Sequence, residues 1–497
     1  MKALIKRFFL PKVTTKPNGD IIYCFGNDFL TWNFLHQGGL LFTGQTGSGK
    51  SSTFALLARE MLESSESPSF LVLTSKPSDI DDWKRLWKSL KRRVDWVHVH
   101  PGSAHRTNLL HYELSRLGGT VQSAAQFFKM LSDMASLSNG KDHESAFWSN
   151  LFTVLIQAAF TVARLAKDVP TLADVYKIVL SIPQSREEAV SEKWTGSSEC
   201  GKMMTLASNR IKTSSEEREF RRCMEVILHE MPSVGEKARG AAISMVNGIL
   251  SKFLAEPWNE MLSCQESNLL PDDLFTGEVG KIVILDFPVL VWGEAGRFFQ
   301  VLFCMLVQAA CLRRSVTQYP RTVVIVRDEV QLYCHGEWDA KVLGVARSQK
   351  LIHCSLVQTL DTLIGTGFGG TEAARYQALT FLAGHTNFFC FANVSSETNS
   401  FVAELLGKSR KLFFGGSSGA NQPTGNVFDD FLGVGAAPQV NWSEQLDYLC
   451  PPSEFMKLRT GGVNHAGLVD AIWFQGGRRF SNGKPFRHVT FQQEFHS

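Results

Sequence analysis

Short, fully apolar runs stand at both ends of the chain, and a long stretch of helical periodicity separates them. Ile21–Gly26 and Phe29–Trp32 predict a strand pair leading into a buried strand at Gly39–Thr43. A helix over Ser52–Met61 follows, then a strand from Ser69 to Pro77, a helix over Ile80–Lys91 and a strand over Val94–His100. Strand and helix in alternation predict a parallel sheet with right-handed crossovers. From about Gly119 the period changes, and Val121–Ala135, Ser145–Leu165, Thr171–Leu180, Arg218–Glu230 and Gly240–Leu254 all predict helices. Strands return at Lys281–Asp286, Thr322–Glu329, Ile352–Gln358 and Asn387–Asn393. Gly415–Pro438, rich in Gly, Ser and Asn, is expected to be a mobile loop. The tail alternates across Asp470–Phe474 and Arg487–Phe491 around Ser481-Asn482-Gly483, which predicts a hairpin. No internal repeat is present.

The expected fold is α/β: a P-loop domain with a mostly parallel sheet, an inserted all-α domain and a C-terminal β-hairpin. The boundaries follow the pattern: N-terminal strands in 1–38, the sheet domain in 39–112 and 276–410, the insertion in 113–275, a flexible loop in 411–450 and the hairpin segment in 451–497. A length of 497 residues fits two or three domains, and 44% apolar with 20% charged residues is a globular balance. The net charge of +3 is too small to announce a nucleic-acid binder, so any basic surface must be local. Ten cysteines without C-x-x-C or metal-ligand spacing fit free thiols in a reducing compartment. The basic, apolar start Met1–Pro11 is broken at Lys6, and the longest apolar run elsewhere, Phe298–Leu312, is shorter than a span of about 20 residues. The expectation is a cytoplasmic chain without a transmembrane helix, either free or peripheral at a membrane complex.

The strongest motif is Gly44-Gln45-Thr46-Gly47-Ser48-Gly49-Lys50-Ser51-Ser52, placed between a strand and a helix. Glycines let successive backbone N–H groups converge on one anion, and the helix start adds partial positive charge. Lysine then serine at this spacing predicts Lys50 on the terminal phosphates and Ser51 on Mg²⁺. A ligand-free glycine turn would need neither residue there, so ATP with Mg²⁺ is the expected ligand.

Val323–Val326 followed by Asp328-Glu329 is a Walker-B pattern, delivering two carboxylates where α/β sheets bind ligands. Asp328 is expected on Mg²⁺, and Glu329 as the base that polarises the attacking water. Arg327 just before them is a charge that needs a partner or a subunit boundary. Gln358, ending the next strand, reads either as a γ-phosphate contact or as a polar strand cap. Arg347, on the intervening helix, reads either as a solvated arginine or as a finger reaching a neighbour's nucleotide.

The order of P-loop, helical insertion, Asp-Glu strand, Arg347 and strand-ending Gln358 resembles the FtsK/HerA superfamily of RecA-like ring motors. The similarity is greatest to the coupling-protein ATPases of conjugative type IV secretion. Thr107-Asn108-Leu109-Leu110, Phe147-Trp148, Lys281–Leu285, Ala346-Arg347-Ser348 and Leu405-Leu406-Gly407 carry it further, and most of residues 39–410 is covered. The resemblance implies a homo-hexameric ring, ATP hydrolysis at subunit boundaries with Arg347 acting in trans, and DNA moved through a central pore. It also implies relaxase, accessory or membrane-channel proteins as partners. Membrane-bound members begin with two spanning helices, which this sequence lacks.

Lys84, Arg85, Lys88 and Lys91-Arg92-Arg93 with Trp83 and Trp87, and Arg478-Arg479, Lys484 and Arg487 on the final hairpin, are the candidate phosphate contacts. For the first cluster a solvated helix face is the competing reading. His98, His100, His105 and His111 are spaced too irregularly for a metal site. A DNA translocase is therefore expected, against two alternatives: a nucleotide-gated scaffold, and an ATPase that loads a protein substrate.

Overall fold

A computed structural model describes residues 21–138, 146–417 and 439–493. Its strands are β1 (Ile21–Phe25), β2 (Asp28–Thr31), β3 (Leu40–Thr43), β4 (Ser69–Leu73), β5 (Asp95–Val99), β6 (Lys281–Leu285), β7 (Val323–Arg327), β8 (Leu351–Val357), β9 (Asn387–Cys390), β10 (Lys408–Ser417), β11 (Gln439–Tyr448), β12 (Leu468–Gln475) and β13 (Phe486–Gln492). Nine form one sheet in the order β13-β12-β9-β3-β8-β7-β4-β6-β5. Registers are parallel for β8–β7, β7–β4, β4–β6 and β6–β5. Strands β4 and β7 are buried at every position, as continuous apolar runs covered on both faces require.

The chain divides into two compact units, one of residues through Phe42 plus Lys50–Phe388, the other of Thr43–Gly49 plus Phe389 onward. The boundary therefore cuts the glycine-rich loop between Gly49 and Lys50. In the second unit the predicted tail hairpin is present as β12 and β13, paired Asp470 to Thr490 and Phe474 to Phe486. Within this unit Trp473 of β12 stacks on Phe389 at 5.5 Å.

Every described residue between β5 and β6 is helical or loop. The helices are set by local signals: Asn108 caps Leu109–Ser115, and Thr171 with Asp174 forms a capping box on Leu172–Leu180. Glu192–Ser197 and Glu199–Arg210 are helices beyond those the apolar periodicity predicts, capped by the Ser191 and Ser198 side chains. Phe128 meets Phe160 and Phe253 inside this region, and Phe127 meets Trp338 of the sheet-flanking Gly336–Ala346 helix at 5.4 Å. The helical region and the sheet thus share one apolar core. Each fully buried phenylalanine there contributes about 2–3 kcal/mol of apolar burial.

The apolar run around Phe298–Leu312 belongs to a longer helix, Val289–Arg313, whose ladder is interrupted at Gly293 (φ 58°). This helix and Phe147–Ala166 have the length and composition of membrane spans, but both are mostly buried in the core.

The expected loop over 411–450 is replaced, in its described parts, by the two arms of an antiparallel ribbon, β10 and β11, in register from Lys408–Tyr448 to Ser417–Gln439. Cross-strand pairs outweigh the glycine content: Lys411 reaches Asp447 at 2.7 Å, and Lys408 lies over the Tyr448 ring. Residues 418–438, where the glycine-rich core of that expectation falls, lie outside the described residues, as do 1–20 with the basic start.

Candidate nucleotide site

The glycine loop follows β3 and runs directly into the Lys50–Glu63 helix, the order the motif requires. Gly47 and Gly49 have φ of 77° and 89°, a region closed to most side chains. At Gly44 a Cβ would come within 2.7 Å of the Phe391 Cβ and 2.8 Å of the Ser48 Oγ, so the loop interior is kept as a cradle. The Gln45 N–H donates to the Ala392 carbonyl at 2.9 Å, fixing the loop's start. Among the described residues the buried Ser48 hydroxyl has no partner, a polar atom awaiting a ligand. Gln45 and Thr46 lie within the loop, and Ser52 lies in the first turn of the helix that follows it.

Lys50 and Ser51 open the helix. Burial lowers the Lys50 pKa, against the pull of Asp328 and Glu329. The Ser51 hydroxyl donates to Asp328 Oδ2 at 3.0 Å, which brings the two predicted Mg²⁺ ligands together. Asp328 Oδ1 accepts from the Glu329 N–H at 3.0 Å. Burial holds the Asp328 pKa above its usual range; Lys76 opposes this, and Asp79 and Glu329 add to it. A carboxylate that resists ionising alone, beside a serine hydroxyl, is a donor set suited to a hard divalent cation. The residues fit Mg²⁺.

Glu329 stands just past β7 in the left-handed region (φ 57°, ψ 56°), uncommon for a non-glycine residue and a feature of functional positions. Gln358 Nε2 donates to Glu329 Oε1 at 2.9 Å, which brings these two predicted residues together. Its position follows from the topology: β8 lies between β3 and β7, and Gln358 follows the end of β8.

Sequence reasoning missed three residues. Gln331 Nε2 donates to Glu329 Oε2 at 2.8 Å, Lys76 Nζ lies 4.0 Å from Glu329 Oε1, and Asp79 Oδ2 accepts from the Ser75 and Lys76 N–H groups at 2.9 Å. Lys76 and Asp79 carried one usable signal, a lysine at the end of the strand neighbouring β7.

Arg327 faces neither a subunit boundary nor solvent. It is 1% exposed, its Nη1 donates to Asp339 Oδ1 at 2.7 Å, and its guanidinium lies over the Phe381 ring. Asp339 also accepts the His335 N–H at 2.9 Å, so the pair ties the end of β7 to the first turn of the Gly336–Ala346 helix.

Arg347 is not on that helix but on the 3₁₀ turn Arg347–Gln349 after it, where β8 begins. Seven strand residues at about 3.3 Å each put it about 20 Å from Gln358, at the opposite edge of the sheet. It is exposed and, among the described residues, has no ion-pair or hydrogen-bond partner. Its support is firm: Arg314 Nη2 donates to the Gln349 carbonyl at 2.6 Å, and Lys350, left-handed at φ 47°, pairs with Glu66 at 2.9 Å.

The basic helix carries its charges outward, but its aromatics point in. Trp83 packs on Phe54 and Phe70, and Trp87 packs on Trp96 and donates to the Val94 carbonyl. Both rings are partly buried, while Lys84, Arg85, Lys88, Lys91, Arg92 and Arg93 are exposed. His98 pairs with Asp286 at 2.8 Å.

No family model and no curated protein matches the sequence. Solved structures do match. The plasmid coupling protein TrwB in complex with a non-hydrolysable ATP analogue superposes with TM-score 0.61 at 14% identity, over 97% of this chain and 91% of that one. The chain has the TrwB fold. TrwB with ADP and Mg²⁺ gives 0.60 at 13% identity over 97% and 92%, and the unbound bacterial conjugative coupling protein TrwBdeltaN70 gives 0.59 at 14% over 97% and 90%. The coverage includes both the helical region and the sheet, so the coupling-protein fold accounts for nearly the whole chain and for the α/β class expected of it.

Proposed function

We propose that the chain is an ATP-hydrolysing motor of the conjugative coupling type, assembling as a hexamer in which Arg347 of one copy completes the site of the next, and moving DNA through the ring. The observation that carries the reading is the single cluster of Lys50, Ser51, Asp328, Glu329 and Gln358, at the loop and strand ends where a nucleoside triphosphate is held in this fold. The TrwB complexes with nucleotide and Mg²⁺ add to it.

In this mechanism the loop N–H groups and Lys50 bind and orient the phosphates. Ser51 and Asp328 would hold Mg²⁺, which would supply positive charge to the phosphate oxygens. Water attacks the γ-phosphorus, the bond to the β–γ bridging oxygen breaks to leave ADP, and Glu329 takes the proton from the water. Arg347, too far from its own site, stabilises the charge that develops in a neighbour's. We place the motor in the cytoplasm or peripheral at a membrane complex, with relaxase, accessory or channel proteins as partners.

The test is Mg²⁺-dependent turnover measured against protein concentration, with and without DNA, together with particle mass in a non-hydrolysable analogue. A motor gives turnover per subunit that rises steeply with concentration and with DNA, and particles of six-fold mass. Turnover indifferent to DNA but raised by a protein partner would transfer the reading to protein loading. Slow turnover indifferent to both would transfer it to a scaffold.

A further inference from the structure

We infer that Gln308 is a positioning residue for Arg347: its buried amide pins the first turn of the Gly336–Ala346 helix to β8, and so fixes where the arginine beyond the far end of that helix is held. The inference rests on the reading of Arg347 as a group that acts in a neighbouring copy.

Gln308 is a polar residue inside the apolar run Phe298–Leu312, and it is buried. Its Oε1 accepts the Trp338 indole N–H at 2.7 Å. Its Nε2 lies 3.0 Å from His353 Nε2 and 3.4 Å from Asp339 Oδ1. Chemistry sets the direction of these bonds. An indole N–H can only donate, so the amide oxygen faces Trp338 and the amide nitrogen faces His353. His353 Nε2 is then the acceptor, which leaves the ring proton on Nδ1. His353 lies within β8, in register with Ile325 of β7. The first turn of the helix is thereby joined to β8 through Gln308 and to β7 through the Arg327–Asp339 pair.

Two pins on neighbouring strands do what one cannot. The Arg327–Asp339 pair alone resists translation but leaves a pivot, and a second tie to the next strand removes it. Arg347 follows Trp338 by nine residues, about 14 Å along the axis, so a tilt of about 10° at the first turn carries it about 2 Å. A displacement of that size costs a charge-stabilising group much of its effect. Neither Gln308 nor Trp338 belongs to the glycine loop or carries a carboxylate of the site, so ATP binding in the same copy does not depend on them.

The experiment mixes chains. Gln308→Met and Trp338→Phe, the second keeping a ring against Phe127, are assayed for kcat, ATP KM and melting temperature. Each is measured alone and mixed in equal amounts with Glu329→Gln or with Arg347→Ala. Alone, each is expected to lose about 10- to 100-fold in kcat with KM unchanged. Turnover should recover with Glu329→Gln, which brings intact arginines, and should not recover with Arg347→Ala, which brings none. A chain that is merely destabilised behaves alike in both mixtures. That outcome overturns the inference, and so does an undiminished kcat in both variants. Nitrogen NMR of histidine-labelled, unsubstituted protein should show the His353 proton on Nδ1, and a proton on Nε2 instead also overturns it. If Glu329→Gln and Arg347→Ala fail to complement each other, the trans reading of Arg347 falls and takes the inference with it, a result separable from failure of the Gln308 pattern alone.

Discussion

Two stretches only twenty residues apart are built on opposite terms. At the end of β7, Asp328 and Glu329 find hydrogen-bond donors within the chain, from Ser51, Gln331 and Gln358. At the start of β8, Arg347 is supported from below by Arg314 and by the Glu66–Lys350 pair, yet its own head group meets nothing described. The first region finds its hydrogen-bond partners within one copy; the second is supported from below and exposed above.

Breaking either region separately is the most forceful test. Glu329→Gln should abolish turnover while leaving ATP binding intact, and Arg347→Ala should cost about 10³- to 10⁵-fold in kcat, again with binding retained. Mixing the two inactive variants should recover part of the activity, because some interfaces then pair an intact base with an intact arginine. Turnover that stays at zero in every mixture would place the arginine in its own copy's site or outside the reaction.

The Arg327–Asp339 pair joins the two regions, and its removal should be the next largest effect. Arg327→Met alone strands a buried carboxylate and should destabilise by about 3–5 kcal/mol in urea unfolding, whereas Arg327→Met with Asp339→Leu should recover most of that loss. If turnover per assembled subunit nevertheless falls in the double variant, the bolt between β7 and the Gly336–Ala346 helix matters beyond stability.

A smaller effect follows from pH. Asp328 holds its proton more tightly in the folded chain than its usual value of 3.8 implies, so its charged form subtracts from stability as pH rises through the raised value. Mg²⁺ bound at this carboxylate would remove that penalty. The rise in melting temperature on adding Mg²⁺ should therefore be largest near neutral pH and shrink as pH falls into the carboxylate range. A shift independent of pH would place the cation elsewhere.

Least affected should be the platform. Glu66 is pushed up by burial, but hydrogen bonds from Thr322 and Lys350 outweigh this and leave it below 4.5. Its contribution is present above the unfolded value and is lost as pH falls through the lower folded one. Lys350→Gly relieves a left-handed backbone but gives up the partly exposed Glu66 pair, so a net change within about 1 kcal/mol is expected by thermal unfolding.

The β7 run, the glycine loop and the Gln358 position were legible because each is a local pattern: four apolar residues and two acids, a loop with lysine and serine, a polar residue closing a strand. Their convergence follows from strand order. Gln331 was not legible, because a glutamine two residues beyond a glutamate looks like any turn residue until the backbone turns left-handed at 329. The partner of Arg327 lay twelve positions on, at a spacing no period predicts. The β10–β11 ribbon was hidden by composition, since glycine and serine count against strands one residue at a time while pairing is decided across two.

The left-handed backbone at Lys350 has a consequence for how the chain would respond to selection. Glycine gains from the backbone about what it gives up with Glu66, so a screen for heat tolerance should leave lysine, glycine and asparagine all represented among its survivors. A strong bias toward one of them would show which of the two opposing terms dominates.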